Sequence, residues 1–428
     1  MKINRAELLK TALIVLLAAS AIFLGWRTKL FSELFKSVPF FGSVADLVKS
    51  ASGDETGAYA KEAARPLGIV ITGKDGQRYG VKYDAEARNA VYDRTSSIIG
   101  EALGTAAAIS GISEDEWREA LSDSGVYYEY LIPVRLSVLD IWLDAKMTQQ
   151  TGDAALRRIF VTFGDQKNRL YYQDSESGHF YGADTASSAD IERDLDIYSS
   201  NGTQFAYETG VKAADAAPYL MIIPESAKKI VSAAAAGTAE ELLEITLSAF
   251  GHSNETYTTS LIGSGSAVTF IGAQFNVVIR PDGSVTYRNT VNPREAAGGQ
   301  AAGDSGMIEQ ARRIAAEMLS GAPGGAEVFF ESIERRAGNY CTVAFNYYIA
   351  GGRIYLPEEA SAAKFTFNDG VIIEAEMFFR TYTTAGEYTG LLPEIQALAA
   401  AGREYHLCYS DNGRETLRPF WLPVESIL

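Results

Sequence analysis

The chain has 428 residues, with 54 Asp and Glu against 38 Lys and Arg, a formal net charge of -16, and 47% hydrophobic residues. That apolar content excludes wholesale disorder, and the length exceeds one ordinary domain, so two or three are expected. The acidic balance excludes nucleic acid as a partner, because phosphate backbones select basic faces, and it opposes a body lying flat on anionic lipid.

Lys2, Arg5 and Lys10 precede an apolar run from Thr11 to Trp26. With Leu8 and Leu9 the run approaches the ~20 residues a helix needs to cross hydrocarbon. Ala19-Ser20-Ala21 has the small-x-small form of a cleavage site. The run nevertheless continues through Ile22, Phe23, Leu24 and Trp26, so an uncleaved anchor is expected. A short basic N-terminus before a first apolar segment favours a cytoplasmic N-terminus and an extracytoplasmic body. Ala18, Ala21 and Gly25 fall on one helical face, a surface that lets another membrane helix approach closely. Residues 1–30 are read as a stub and transmembrane helix, and 31–64 as a juxtamembrane segment and tether.

An α+β domain is expected over 65–225. Residues 69–72 and 77–83 read as strands around Lys74-Asp75-Gly76. Residues 89–109 read as a helix. Ser113-Glu114-Asp115-Glu116 is a capping box opening a second helix, with Trp117, Ala120 and Leu121 inward. Residues 127–136 read as a strand pair centred on Pro133, 157–163 with 169–173 as a hairpin, and 187–201 as helix then loop.

A middle helix-plus-hairpin domain is expected over 226–291. Residues 227–237 and 238–250 read as helices, with Thr238 capping the second and Gly251 ending it. Residues 268–280 and 284–288 alternate as a hairpin around Pro281-Asp282-Gly283. The Gly- and Ala-rich stretch 292–306 reads as a linker. A C-terminal α+β domain follows over 307–428. It has helices at 307–319 and 392–401 and strands at 326–334, 340–349, 363–367, 371–382 and 404–409, with a sharp turn at Asn368-Asp369-Gly370. The expected class is α+β: one N-terminal transmembrane helix, then two or three domains of antiparallel sheet with helices packed on one face.

The residues give no constellation for chemistry. His179, His252 and His406 are far apart, and no Cys-x-x-Cys supplies a zinc spacing. There is no phosphate-cradling Gly-rich loop with Lys and no Gly-x-Ser-x-Gly elbow. No catalytic, cofactor-binding or metal residue is therefore assigned, and a non-enzyme is expected. His252 follows a helix end, where an imidazole meets the dipole. Asp190, Glu192, Asp194 and Asp196 alternate, but Leu195 stands where a calcium loop needs Gly and Asn201 where it needs Glu, so a solvated face is expected. Cys341 and Cys408 have no spacing that demands a bridge, and two buried thiols is the simpler reading. Ser226-Ala227-Lys228-Lys229 and Ser410-Asp411-Asn412 fit two elements of penicillin-recognising enzymes, but no Lys-Thr-Gly strand follows. A Ser226/Lys229 hydrolase is one alternative function. An anchored binding module for a cell-wall or small-molecule ligand is another.

Several segments resemble the YycH/YycI (WalH/WalI) regulators of Firmicutes, particularly the longer clostridial YycH-like proteins. They are Met1-Lys2-Ile3-Asn4-Arg5 before the anchor, Thr246-Leu247-Ser248-Ala249-Phe250-Gly251, and the hairpin from Val278-Ile279-Arg280 to Val285-Thr286-Tyr287. Leu391-Leu392-Pro393-Glu394-Ile395-Gln396-Ala397 and the closing Pro419-Phe420-Trp421 complete the set. The resemblance covers most of the chain and carries no catalytic signature. It implies a single-pass protein outside the cytoplasmic membrane and a YycI-like C-terminal domain. It also implies partners: the bilayer, the membrane sensor histidine kinase of the YycF/YycG (WalR/WalK) system that governs cell-wall metabolism, and a second, YycI-like regulator.

Overall fold

The structure is a computed structural model describing residues 60–147, 152–164, 167–186, 195–224, 228–262, 267–290, 303–319 and 324–423. The expected anchor with Ala18, Ala21 and Gly25, the tether, Ser226, the acidic residues 190–194 and most of the 292–306 linker lie outside them. Among the described residues, no helix is long and apolar enough to cross a membrane. All of them belong to one compact unit, Asp46–Leu428.

The N-terminal sheet has seven strands: β1 (Gly68–Thr72), β2 (Arg78–Val81), β3 (Ala107–Ile112), β4 (Gly125–Arg135), β5 (Ala155–Thr162), β6 (Arg169–Asp174) and β7 (Phe180–Asp184). Their order is β2-β1-β4-β5-β6-β7-β3, antiparallel throughout. Helix α1 (Ala85–Thr105) starts where the Asp84 side chain accepts the Ala87 N–H, and it buries Val91, Tyr92, Ile98, Ile99, Ala102 and Leu103. The short helix α2 (Glu114–Ala120) has the expected Ser113 cap. Its Trp117 packs with Tyr127, Phe160, Phe180, Phe205 and Tyr219 in a second cluster. Alternate residues of β4 thus enter different cores, Val126 and Tyr128 one and Tyr127 the other. Cover on both faces explains why β4 reads as a near-continuous apolar run rather than an alternation.

Pro133 does not divide that region into two strands. It lies in β4 within a register shift between Glu129 and Val134, where the missing N–H withdraws no ladder bond. Helix α1 also ends earlier than expected, and residues 107–112 form β3 instead. Helix α3 (Leu136–Leu143) follows β4 directly, and β8 (Gln204–Phe205) pairs with β9 (Met221–Ile222).

The largest correction concerns 227–237, expected as helix. Residues Lys228–Ala235 form β10, which pairs with β20 (Arg380–Thr389) and β22 (Thr416–Leu417). Alanine's helix propensity is a weak prior, and burial of Val231 and Ala233 between two strands overrides it. Helix α4 (Ala239–Ala249) forms as expected: the Thr238 hydroxyl accepts the Glu241 N–H, and Glu241 accepts the Thr238 N–H at 2.8 Å. Gly251 ends it at φ +78°.

The second large sheet has eleven strands. A meander of β11 (Tyr257–Ile262), β12 (Ala267–Gly272), β13 (Phe275–Ile279) and β14 (Ser284–Asn289) joins β19 (Val371–Phe378) through β14. The expected strand 268–280 is therefore two strands, turning at 273–274, and β11 was not foreseen. Beyond β19 come β18 (Ala363–Asn368), β16 (Tyr340–Ile349), β17 (Gly352–Tyr355), β21 (Tyr405–Ser410) and β23 (Pro419–Pro423), with β15 (Glu327–Arg336) on β16. The expected 371–382 strand breaks at Phe379 into β19 and β20, because the Phe379 N–H turns to the Gly283 carbonyl. Asp369 and Gly370, both at positive φ, make the expected hairpin turn. Helix α5 (Asp304–Leu319) buries Met307, Ile308, Ala311, Ala315, Met318 and Leu319. Helix α6 (Glu394–Ala401) precedes β21. Sheets that are antiparallel apart from the parallel β17–β21 pair, with helices packed on them, are a mixed α+β architecture.

Candidate functional site: a buried charged junction

Charged side chains from five separate stretches meet inside the protein. Lys82 and Tyr83 follow β2, Glu129 lies in β4, and Arg157 and Arg158 lie in β5. Glu394 opens α6, while Glu404 and His406 come from β21 and the residue before it. The Lys82, Glu129 and Glu394 side chains are 1%, 1% and 4% exposed. Chemistry of this sort at such burial needs mutual compensation, since an unpaired ion in the interior costs several kcal/mol.

Compensation comes as a chain of contacts. Lys82 Nζ lies 3.3 Å from Glu394 Oε1 and 3.9 Å from Glu129 Oε2. Arg158 Nη2 is 3.5 Å from both Glu129 Oε1 and Glu404 Oε2. Arg157 donates to Glu404, and its Nη2 lies 3.4 Å from His406 Nε2. The Tyr83 hydroxyl donates to Glu394. Lys82, Arg157 and Arg158 thus balance Glu129, Glu394 and Glu404, three cations against three anions.

The protonation states follow from the surroundings. Burial pulls the Lys82 ammonium down, but Glu394, Glu129 and Glu404 outweigh it and hold its pKa above the ordinary value. Burial raises Glu129, against the pull of Lys82 and Arg158. Burial opposes ionisation of Glu404 too, yet Arg157 and Arg158 prevail and its pKa is lowered. His406 falls well below the ordinary imidazole value, through burial and then the repulsion of Arg157, Lys82 and Arg158, and so stays neutral. Lys228, at the start of β10, places Nζ 3.1 Å from the centre of the Tyr83 ring and 5.5 Å from that of Trp421. Burial lowers its pKa to about 7, with Glu394 partly offsetting and Lys82 adding to the shift.

The junction ties the N-terminal sheet to the C-terminal sheet and α6. Gly351, in the β16–β17 turn, has φ +72°, and a Cβ there would stand 2.7 Å from the Lys82 carbonyl oxygen. Glu327 of β15 adds a second tie, meeting Arg88 and Asn89 of α1. Both ties hold the two halves in one arrangement.

The sequence marks His406 only as one of three scattered histidines and Glu394 only within one resembling segment, and it shows no charged cluster. The signal was present: Glu129 interrupts Val126-Tyr127-Tyr128-Glu129-Tyr130-Leu131, and His406 sits within Tyr405-His406-Leu407-Cys408-Tyr409. A charge flanked by apolar residues on both sides marks a buried position. Which charges meet cannot be read from one chain, because the partners lie from 29 residues apart, for Arg158 and Glu129, to 312, for Lys82 and Glu394.

The residues that were singled out go elsewhere. His179 lies in the β6–β7 turn. His252 sits beyond α4, with Nδ1 2.7 Å from Glu255 and Nε2 3.0 Å from the Tyr287 hydroxyl, while its backbone N–H donates to the Leu247 carbonyl at the helix end. Asp411 is committed to a buried ion pair with Arg380 (2.9 and 3.0 Å) and to the Tyr382 hydroxyl (2.8 Å). Lys229 gives its carbonyl to the Tyr409 hydroxyl at 2.9 Å, and Ser410 ends β21. The approach of Ser226 to Ser410 falls outside the described residues. Cys341 and Cys408 are free and buried. Among the described residues, no group of His, Cys, Asp and Glu is placed to hold a metal.

No family model and no curated protein matches the sequence. Among solved structures, YycH from Bacillus subtilis superposes with a TM-score of 0.50 at 11% identity, covering 85% of this chain and 96% of that one. The fold is YycH-like. The YycH-like arrangement includes most of the chain, so the likeness is one of overall architecture rather than of a shared module. An uncharacterized protein from Eubacterium rectale gives a TM-score of 0.32 at 13% identity, over 46% of this chain and 76% of that one.

Proposed function

We propose that this chain is a membrane-anchored, extracytoplasmic, non-enzymatic regulator of a sensor histidine kinase in a two-component system controlling cell-wall metabolism. The observation that carries the reading is the YycH-like fold over 85% of the chain, at 96% of the YycH structure. In this reading residues 1–30 form one transmembrane helix with a cytoplasmic N-terminus, and Ala18, Ala21 and Gly25 face a helix of a WalK/YycG-like kinase. The body makes extracytoplasmic contacts with the kinase and with a YycI-like second regulator. Regulation follows if anchor and body bind one signalling state of the kinase more tightly than the other. A differential of about 1–3 kcal/mol shifts the kinase equilibrium some 5–150-fold. A body braced at a charge-balanced junction passes a displacement at one end to the other without dissipating it in internal hinge motion.

The test is photo-crosslinking in membranes from positions flanking Ala18, followed by identification of the captured chain. A sensor kinase should be recovered, and capture should fall when Ala18, Ala21 and Gly25 are all replaced by Leu. Recovery of no kinase, or a mature chain released freely into the medium, would overturn the proposal.

A further inference from the structure

Lys228 stands outside the three-against-three balance of the junction, yet it is 4% exposed, with its Nζ on the face of the Tyr83 ring and Trp421 of β23 beyond it. The strand that carries it is held in two pieces. Val231 and Ser232 lie between β20 and β22, and the pairing with β20 runs on to Ala235. Lys228 and Lys229 pair with Thr389 and Tyr388 of β20 alone, beyond a register shift that leaves Ile230 opposite 385–387. A bulge of this kind uncouples the tip of β10 from the rest of its ladder. The tip is held by its two rungs, by the Tyr409 hydroxyl donating to the Lys229 carbonyl at 2.9 Å, and by the seated Lys228 side chain. Tyr388, on one of those rungs, is 61% exposed, so the tip lies at the surface and a withdrawn ammonium reaches water within the length of its own side chain.

We propose that Lys228 is a pH-sensitive pin: seated on Tyr83 it clamps the tip of β10 to the body, and on gaining a proton it swings to water and lets the tip detach as far as the register shift at Ile230. The groups around the amine set the direction. Glu394 of α6 favours the ammonium, but that carboxylate already serves Lys82 at 3.3 Å and the Tyr83 hydroxyl, and Lys82 repels a second cation. Tyr409 of β21 spends its hydroxyl on the Lys229 carbonyl, and His406 on the same strand stays neutral. Trp421 of β23, Thr416 and Leu417 of β22, and Tyr388 and Thr389 of β20 bring no charge. Glu387 of β20 lies opposite the register shift and is exposed, where water screens it. The Tyr83 face offsets part of the cost of a buried ammonium. Burial and Lys82 outweigh it together with Glu394.

Linkage fixes how the opening depends on pH. The released amine takes up its proton near the ordinary 10.5 and the seated one near 7. The opening constant therefore rises tenfold for each unit of acid between those values and levels off below the lower one. From pH 8 to pH 6 the rise is about tenfold, and from pH 6 to pH 5 almost nothing. The pin belongs to the folded body, so it is read without a kinase and stands apart from the proposed regulatory contact.

The test is hydrogen exchange of the full chain, followed by mass spectrometry over residues 228–230 and 387–389 and divided by the chemical rate at each pH. Exchange there should be about tenfold faster at pH 6 than at pH 8 and level between pH 6 and pH 5, while 231–235 stays unchanged. Lys228→Met should keep the slow rate at every pH. Lys228→Arg, cationic throughout, should show the fast rate at pH 8 as well. Exchange of the wild-type tip that ignores pH would mean that the ammonium stays seated, and it would overturn the proposal. The same pH dependence in Lys228→Met would overturn it too, as would an equal change over 231–235, which would make the opening a loosening of the whole strand.

Discussion

Replacing Lys82 by Met removes a cation shared by two buried carboxylates, Glu394 at 3.3 Å and Glu129 at 3.9 Å. At an effective dielectric constant near 20, a unit pair at 3.3 Å is worth about 5 kcal/mol. Part of that is returned, because the variant no longer desolvates an ammonium. The carboxylates stay buried, and the Lys82 side chain, at 1% exposure, leaves no route for water to replace it. Breaking a buried pair on one side costs about 3–5 kcal/mol, and that is the expected loss. Urea unfolding of the full chain, followed by tryptophan fluorescence, reads it directly, since Trp117 and Trp142 are both buried. The midpoint should fall at constant slope. The deficit should also depend on pH. Burial already raises Glu129, and without Lys82 its folded pKa climbs further above the unfolded value. A carboxyl with a raised folded pKa loses stability as pH rises through that pKa, so the variant's deficit should be smaller at pH 5 than at pH 8. Adding Glu394→Gln should restore part of the loss, a coupling of about 1–3 kcal/mol. A deficit below about 1 kcal/mol, or one independent of pH, would refute the view that these charges hold one another in a closed interior.

Lys228 gives a prediction of opposite sign. Its folded pKa of about 7 lies below the ordinary 10.5, so the unfolded chain binds the extra proton between those values and stability rises with pH across them. Lys228→Met should therefore stabilise the protein below pH 7 and lose the advantage near pH 10.5. The gap corresponds to about 4–5 kcal/mol, less about 2 for the lost contact with the Tyr83 ring, or a net ~3 kcal/mol by thermal unfolding. Gly351→Ala should cost about 2–4 kcal/mol and raise amide exchange at Lys82 and Tyr83, because the new Cβ meets that backbone at positive φ. Gly386→Ala, where a Cβ meets nothing within 4 Å, should stay within about 0.5 kcal/mol.

Local rules wrote the capped helices and tight turns into the sequence. Ser113, Thr238, Gly251 and Asn368-Asp369-Gly370 each satisfy backbone groups a few residues away, so composition and spacing suffice to place them. The strands of the two large sheets were legible wherever burial imposed a pattern of its own. Tertiary context decided the rest. Residues 228–235 carry an alanine-rich, helix-favouring composition, yet they lie between β20 and β22 because two distant strands offer ladders there that a lone helix cannot match. Strand β11 was invisible because its polar, exposed residues show no burial pattern. The junction was hidden for a different reason: Lys82 and Glu394 are 312 residues apart, and a charge becomes a tie only when folding removes water from both partners at once.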